Sequence, residues 1–312
     1  MNLRRHVVDC FRRLQRTDPS NTAAIIPKYE SEHPTLSTTS ERYFVTVDAE
    51  TRLIRKGVRE ISRIRERIEK QFRVEIPIVW FVRFQRSWSE YVEKETADYF
   101  SNSLNEAFDG FELAKSSLRY RRDRGDEIGW HYHAYNYVHR EDLSHETRIA
   151  ILCSDLASCA QAIRQRHSEF AVRSMRFGWF FIPDYRVFAV LRASGIRIDA
   201  SVRPGYEGKK VADSNATYLA PITVSPQRIS GTWFVPYTRT FAIHDWEMVT
   251  HNLGWTKLGR GQADANRDEF AQAISRAARN IAESGGSFST YERADAEANM
   301  VVDSQAGRFS YR

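Results

Sequence analysis

Short runs of β-branched and aromatic residues alternate along this chain with longer segments whose apolar residues recur every three or four positions. That alternation leaves few folds open. Tyr43-Phe-Val-Thr-Val47 and Ile76-Pro-Ile-Val-Trp-Phe-Val82 carry almost no polar residue, the pattern of strands covered on both faces. Between them, Ile61, Ile64, Ile68 and Phe72 mark one face of a helix over Arg59 to Phe72. Helical stretches with polar loops are expected from Trp88 to Arg124, followed by a third strand, Glu127-Ile-Gly-Trp-His-Tyr-His133. A helix over 146 to 167, a strand at Val172 to Gly178, a helix from Asp184 to Ser194 ended by Gly195, and a strand at Ile196 to Asp199 continue the order. Later, Gly231 to Pro236 and Thr240 to Ile243 read as strands, Arg267 to Ser284 as a helix and Ser287 to Tyr291 as a last strand. Strands separated by crossover helices run parallel, so the pattern predicts a parallel α/β protein.

With 312 residues, the chain exceeds the roughly 250 that one barrel of alternating strands and helices needs. The surplus lies at the start. Residues 1–16 form a basic amphipathic stretch, and 17–41 are rich in Pro, Ser and Thr, which break helical periodicity. We therefore expect a basic helix and linker over 1–40 and one domain over 41–312. A content of 42% hydrophobic and 12% aromatic residues excludes wholesale disorder. The charge of +6 is spread over Arg residues interleaved with Asp and Glu, and no nucleic-acid-binding motif occurs, so no nucleic-acid partner is expected. Cys10, Cys153 and Cys159, an odd number in a long chain, read as reduced thiols. No run of about 18 apolar residues occurs, so no membrane span is expected. With no export signal visible, the expected location is cytoplasmic.

Side chains two apart on a strand share a face, so Asp48 can project with Glu50, and His131 with His133. Both pairs sit at the C-terminal ends of expected strands, the edge where parallel α/β sheets gather their active sites. Taken alone, a D-x-E is commonly a cap and an H-x-H can be structural. Together they make an N/O set suited to a divalent metal with room for water, and a spare carboxylate to take a proton. Trp130, Tyr132, Tyr135 and Tyr137 surround the histidines, and either a sugar-stacking rim or simple edge filling accounts for them.

Tyr43-Phe-Val-Thr-Val-Asp-Ala-Glu50, Ile76 to Val82, Gly125-Asp-Glu-Ile-Gly-Trp-His-Tyr-His133, Arg176-Phe-Gly178 and Gly195-Ile-Arg-Ile-Asp-Ala-Ser-Val-Arg-Pro-Gly205 occur in an order and spacing that resembles the polysaccharide deacetylases with a NodB-homology domain, over about 41 to 240. The resemblance implies a distorted (β/α) barrel of about seven parallel strands that removes acetyl groups from N- or O-acetylated sugars with a divalent metal, Zn²⁺ being the first expectation. It makes Asp48 and Arg176 the catalytic pair, Arg176 orienting the carboxylate. Ala49 stands where the family has its metal-binding Asp and Tyr135 where it has its second His. Glu50 and His133 are the natural substitutes, so Glu50, His131 and His133 become the implied metal ligands, with Asp48 either the base or a sharer of the metal. Trp130, Tyr135, Trp179 and Asp199 are the implied substrate contacts. The family's late His, its general acid, has no match near Ser287 to Glu292, and His244 or His251 qualifies only if the fold brings it across. The expected partner is an acetylated oligo- or polysaccharide or a sugar precursor. The alternative reading is a catalytically inactive carbohydrate-binding protein on the same barrel.

Overall fold

The computed structural model describes residues 42–85, 108–134, 137, 142–178, 186–201, 227–229, 232–234, 240–253 and 257–294. The expected N-terminal helix and linker, Tyr135 and Trp179 lie outside the described residues. Strand β1 spans Arg42–Ala49, helix α1 Ile54–Phe72, β2 Ile78–Gln85, β3 Phe108–Asp109, α2 Gly110–Asp123 and β4 Glu127–Tyr132. Helix α3 (His145–Arg166), β5 (Ser174–Phe177), α4 (Arg186–Ala193) and β6 (Ile198–Asp199) follow. Then come β7 (Gln227–Ile229), β8 (Thr232–Phe234), β9 (Thr240–His244), β10 (His251–Asn252), β11 (Lys257–Leu258), α5 (Arg260–Ser284) and β12 (Ser287–Phe288).

Among the described residues, β9, β1, β2, β4, β5, β6 and β8 form a run of seven strands in which every neighbouring pair is parallel. The sheet is curled. Three strand spacings separate β1 from β5, about 14 Å in a flat sheet, yet Arg176 on β5 reaches Asp48 on β1 at 2.9 Å. The expected distorted (β/α) barrel of about seven parallel strands is thus observed as an α/β half-barrel, with β7 running antiparallel to β8 at its edge.

Period-two alternation sorts every central strand. Val45, Val47 and Ala49 on β1, Trp80, Val82 and Phe84 on β2, Ile128, Trp130 and Tyr132 on β4, and Met175 and Phe177 on β5 enter the large core under the helices. The opposite set faces the inside of the curl. Its lower part is filled by Val79, Phe81, Ile198, Ala200 and Tyr291, and its upper part is polar. Helix α1 buries Ile54, Val58, Ile61, Ile64 and Ile68, a stripe at spacings of three and four. Gly195 at φ +83° ends the turn after α4, as the sequence pattern predicts, and Ser144 caps α3 by accepting the Thr147 N–H.

Boundaries differ where local signals are weak. Strand β2 begins at Ile78, because Pro77 cannot donate to a ladder. Helix α5 begins at Arg260, not Arg267, since its first turns are polar and exposed and carry no apolar period. The strand expected over Ser287 to Tyr291 ends at Phe288. No helix among the described residues is long and apolar enough to cross a membrane.

Candidate metal centre

Glu50, one residue beyond β1, and His131 and His133, at the end of β4, meet inside the upper rim of the curl. Glu50 Oε2 lies 2.8 Å from His133 Nε2 and 3.2 Å from His131 Nε2, and the two Nε2 atoms are 3.0 Å apart. All three residues are buried. With the ring protons on Nδ1, the two imidazole Nε2 atoms and the carboxylate oxygen turn three lone pairs toward one point. One cation satisfies all three lone pairs. Ligands about 2.1 Å from a metal stand about 3.0–3.4 Å apart, close to the observed spacings, so the donor set fits a divalent ion.

Surroundings hold the set in place. Burial drives His133 down to about 3, an effect the nearby Arg83 charge reinforces and Glu50 only partly offsets. Its ring is therefore neutral, the form that ligates. Burial opposes charge on Glu50, but hydrogen bonds from His131 and His133 and the charge of His244 keep its carboxyl well below the usual range. The main chain of His133 is fixed as well: buried Arg83 donates from Nε to Gln85 Oε1 (2.9 Å), and Gln85 Nε2 donates to the His133 carbonyl (3.1 Å). Gly178 lies against the His133 ring so closely that a Cβ there would sit 2.3 Å from it.

Asp48 is not part of the three-atom cluster. Its Oδ1 accepts from Arg176 Nη1 at 2.9 Å and lies 4.0 Å from His131 Nδ1. Arg176 is itself clamped, donating to Thr46 Oγ1 (3.0 Å) and to the Ala200 carbonyl (3.1 Å), with its guanidinium 4.3 Å from the Phe81 ring centre. Asp48 and Arg176 thus form a buried, oriented carboxylate–guanidinium pair beside the candidate metal ligands.

The fold brings His244 across. Strand β9 pairs with β1 so that His244 stands opposite Asp48, and its Nε2 lies 3.6 Å from Glu50 Oε1 and 3.9 Å from Asp48 Oδ2. Burial opposes its protonation, but Glu247, Glu50 and Asp48 push its pKa up; the side chain is 39% exposed, so water screens part of that push. His251 stays behind Trp246, edge-on to its ring, with Nδ1 on the Val249 carbonyl. A one-turn 3-10 helix, Asp245–Met248, follows β9. Sequence reading missed this segment as part of the site. The rule that singled out Asp48 and His131, polar residues at the C-terminal end of an expected strand, also favours His244, one residue past Ile243, over His251, and points to the residues that follow it.

Two of the expected substrate contacts, Trp130 and Asp199, are buried side chains. Trp130 points away from the rim into the core under the helices, fully buried, with its indole N–H donating to the Phe84 carbonyl (3.0 Å). It follows the parity of Ile128 and Tyr132, opposite to His131. Asp199 is also fully buried, on the opposite parity from Ile198 and Ala200, and its Oδ1 accepts the Ser201 N–H at 2.7 Å. Burial pushes its carboxyl up to about 6. It fastens the end of β6.

No protein-family model matches the sequence, and no curated protein matches it. Among solved structures, the chain is similar to a point mutant of the peptidoglycan deacetylase PdaC from Bacillus subtilis, with a TM-score of 0.41 and 13% identity over 86% of this chain and 97% of that one. What defines this molecule is its own geometry: a parallel α/β half-barrel whose rim holds a buried Glu-His-His cluster able to take a metal ion. The side chains of that cluster, and not the likeness, carry the functional reading.

Proposed function

We propose that the protein is a metal-dependent hydrolase that removes acetyl groups from an N- or O-acetylated saccharide. The observation that carries this reading is the placement of Asp48, held by Arg176, beside the Glu50, His131 and His133 donor atoms. A divalent ion on those atoms, Zn²⁺ first among candidates, would supply Lewis-acid polarisation of a carbonyl and acidify a water. Asp48, fixed in position and acceptor-only when ionised, takes the proton of the attacking water. Arg176 holds that carboxylate in one orientation through the step. His244, cationic and anchored by Glu247, stands across the rim from Asp48 and donates a proton to the departing amine or alcohol.

The competing expectation of a silent binding protein rests on Ala49, Tyr135 and a missing late histidine. Glu50, His133 and His244 stand in for all three.

The test is acetate release from a panel of N-acetylated and O-acetylated oligosaccharides by the metal-reconstituted full chain, with His131→Ala in parallel. Release by the wild type that His131→Ala abolishes is the expected result. A wild type that holds metal and binds saccharide but frees no acetate from any panel member would overturn the reading.

A further inference from the structure

Glu50 lies beyond the last residue of β1, so no strand ladder fixes it, and its side chain is one torsion longer than the aspartate at the neighbouring position in the resembling family. Something else must hold it. The turn Asp245–Met248 does so from the far side of the rim. Asp245 Oδ1 accepts the Glu50 backbone N–H (3.1 Å), and Oδ2 accepts the Thr51 hydroxyl (2.8 Å). Trp246 donates its indole N–H to Glu50 Oε1 at 3.3 Å. The turn is pressed hard onto α1: a Cβ on Gly57 would come within 2.3 Å of the Asp245 carbonyl oxygen. Trp246 is braced in turn, its ring stacked on His244 at 5.2 Å and edge-to-face with His251 at 5.8 Å.

Its consequence is a division of labour between the two carboxylate oxygens. Both imidazole nitrogens face Oε2, whereas Oε1 faces Trp246 and, at 3.6 Å, His244. A carboxylate free to rotate can offer a cation both oxygens; one whose Oε1 is engaged by a donor offers one. We propose that Trp246 is a positioning residue that engages Oε1 of Glu50, so that the carboxylate binds a divalent ion through Oε2 alone and leaves a ligand position open for water or substrate. The inference rests on the metal reading above and goes beyond it in assigning a role to an indole that neither motif contains. Outer donors of this kind orient ligands, and their loss typically weakens metal affinity 10- to 100-fold.

The test uses the full chain and Co²⁺ or Zn²⁺ alone as probe. Trp246→Phe keeps an aromatic ring able to stack on His244 and removes the N–H together with the five-membered ring that carries it. Its Kd for Zn²⁺ by calorimetry is expected to rise about 10-fold, with the metal-free protein still folding cooperatively. The visible bands of its Co²⁺ form are expected to weaken and shift as Glu50 turns to offer both oxygens, a signature that a purely structural tryptophan would not move. Trp246→His, which restores a ring N–H, is expected to recover part of the affinity. A Trp246→Phe protein with the wild-type Kd and a superimposable Co²⁺ spectrum overturns the inference and leaves the metal reading standing. A wild type that takes up neither ion overturns both.

Discussion

Glu50, His131 and His133 differ from Asp48 in what they should lose when replaced, and that difference separates ligand from base. His133→Ala removes one of three donor atoms within 3.2 Å of one another, and metal content is expected to fall with turnover. Asp48→Asn leaves those donors in place, so we expect full metal content with turnover reduced on the order of 10²–10⁴-fold, the usual worth of a general base. Elemental analysis beside acetate release checks both, and loss of metal in Asp48→Asn would reassign Asp48 as a ligand. Gly178→Ala is a subtler probe. A methyl 2.3 Å from the His133 ring has to displace it, so affinity for Zn²⁺ is expected to drop at least 10-fold while the fold survives; an unchanged Zn²⁺ titration would show that the ring has room to move. The first four residues were legible in the sequence because a strand's period of two puts 48 with 50 and 131 with 133. His244 was legible only as one of two conditional candidates, and Asp245 and Trp246 not at all, because only the pairing of β9 with β1, nearly two hundred residues apart in sequence, makes them neighbours of Glu50.

The elements were legible in proportion to how local their signals are. Strands covered on both faces announce themselves as apolar runs, and α1 shows its apolar stripe. What no local pattern shows is how the lower end of the sheet is tied together, and there Asp126 is decisive. It precedes β4, and it accepts from Arg65 Nη1 on α1 at 2.6 and 2.8 Å, from the Ile78 backbone N–H at 3.0 Å and from the Trp80 indole at 2.9 Å. One carboxylate thus joins a helix and two strands. Arg65 is buried, so Asp126→Ala would leave its guanidinium with only Glu69, at 3.9 Å, as a counter-ion and leave two donors unmet. The expected loss is about 3–5 kcal/mol, the range for breaking one side of a buried pair. Denaturant unfolding checks it, and a loss under about 1 kcal/mol would mean that water reaches Arg65 and replaces the partner.

Stability of the whole molecule should record a second buried carboxylate through pH. Glu127, the first residue of β4, points inside the curl, where it accepts from the Ser174 hydroxyl and from the Glu292 backbone N–H at 2.9 Å. It thereby links β4, β5 and the turn after β12. Burial, reinforced by the charge of Glu292, pushes its carboxyl from 4.5 up to about 7. A carboxyl whose folded pKa exceeds its unfolded value holds its proton longer in the native state. Its contribution is therefore fully present below pH 4.5 and is lost as pH rises through about 7. At 1.36 kcal/mol per pKa unit, that loss is on the order of 3 kcal/mol. Asp199, raised to about 6, Asp245, raised to about 7, and His244, raised to about 10, slope the same way, whereas His133, lowered to about 3, and Glu50, held well below the usual carboxylate range, slope the other way, so the bare pH profile mixes several groups. Glu127→Gln isolates one of them. The amide is uncharged at every pH and nearly isosteric, and the Ser174 hydroxyl can turn to accept from it. The variant should resemble the wild type near pH 5 and exceed it in stability by on the order of 3 kcal/mol near pH 8, a gap that opens between those values. Unfolding both proteins in denaturant across that range measures the gap directly. A difference that stays constant with pH would mean that Glu127 ionises in the folded protein as readily as in the unfolded chain, and that water reaches the closed end of the curl.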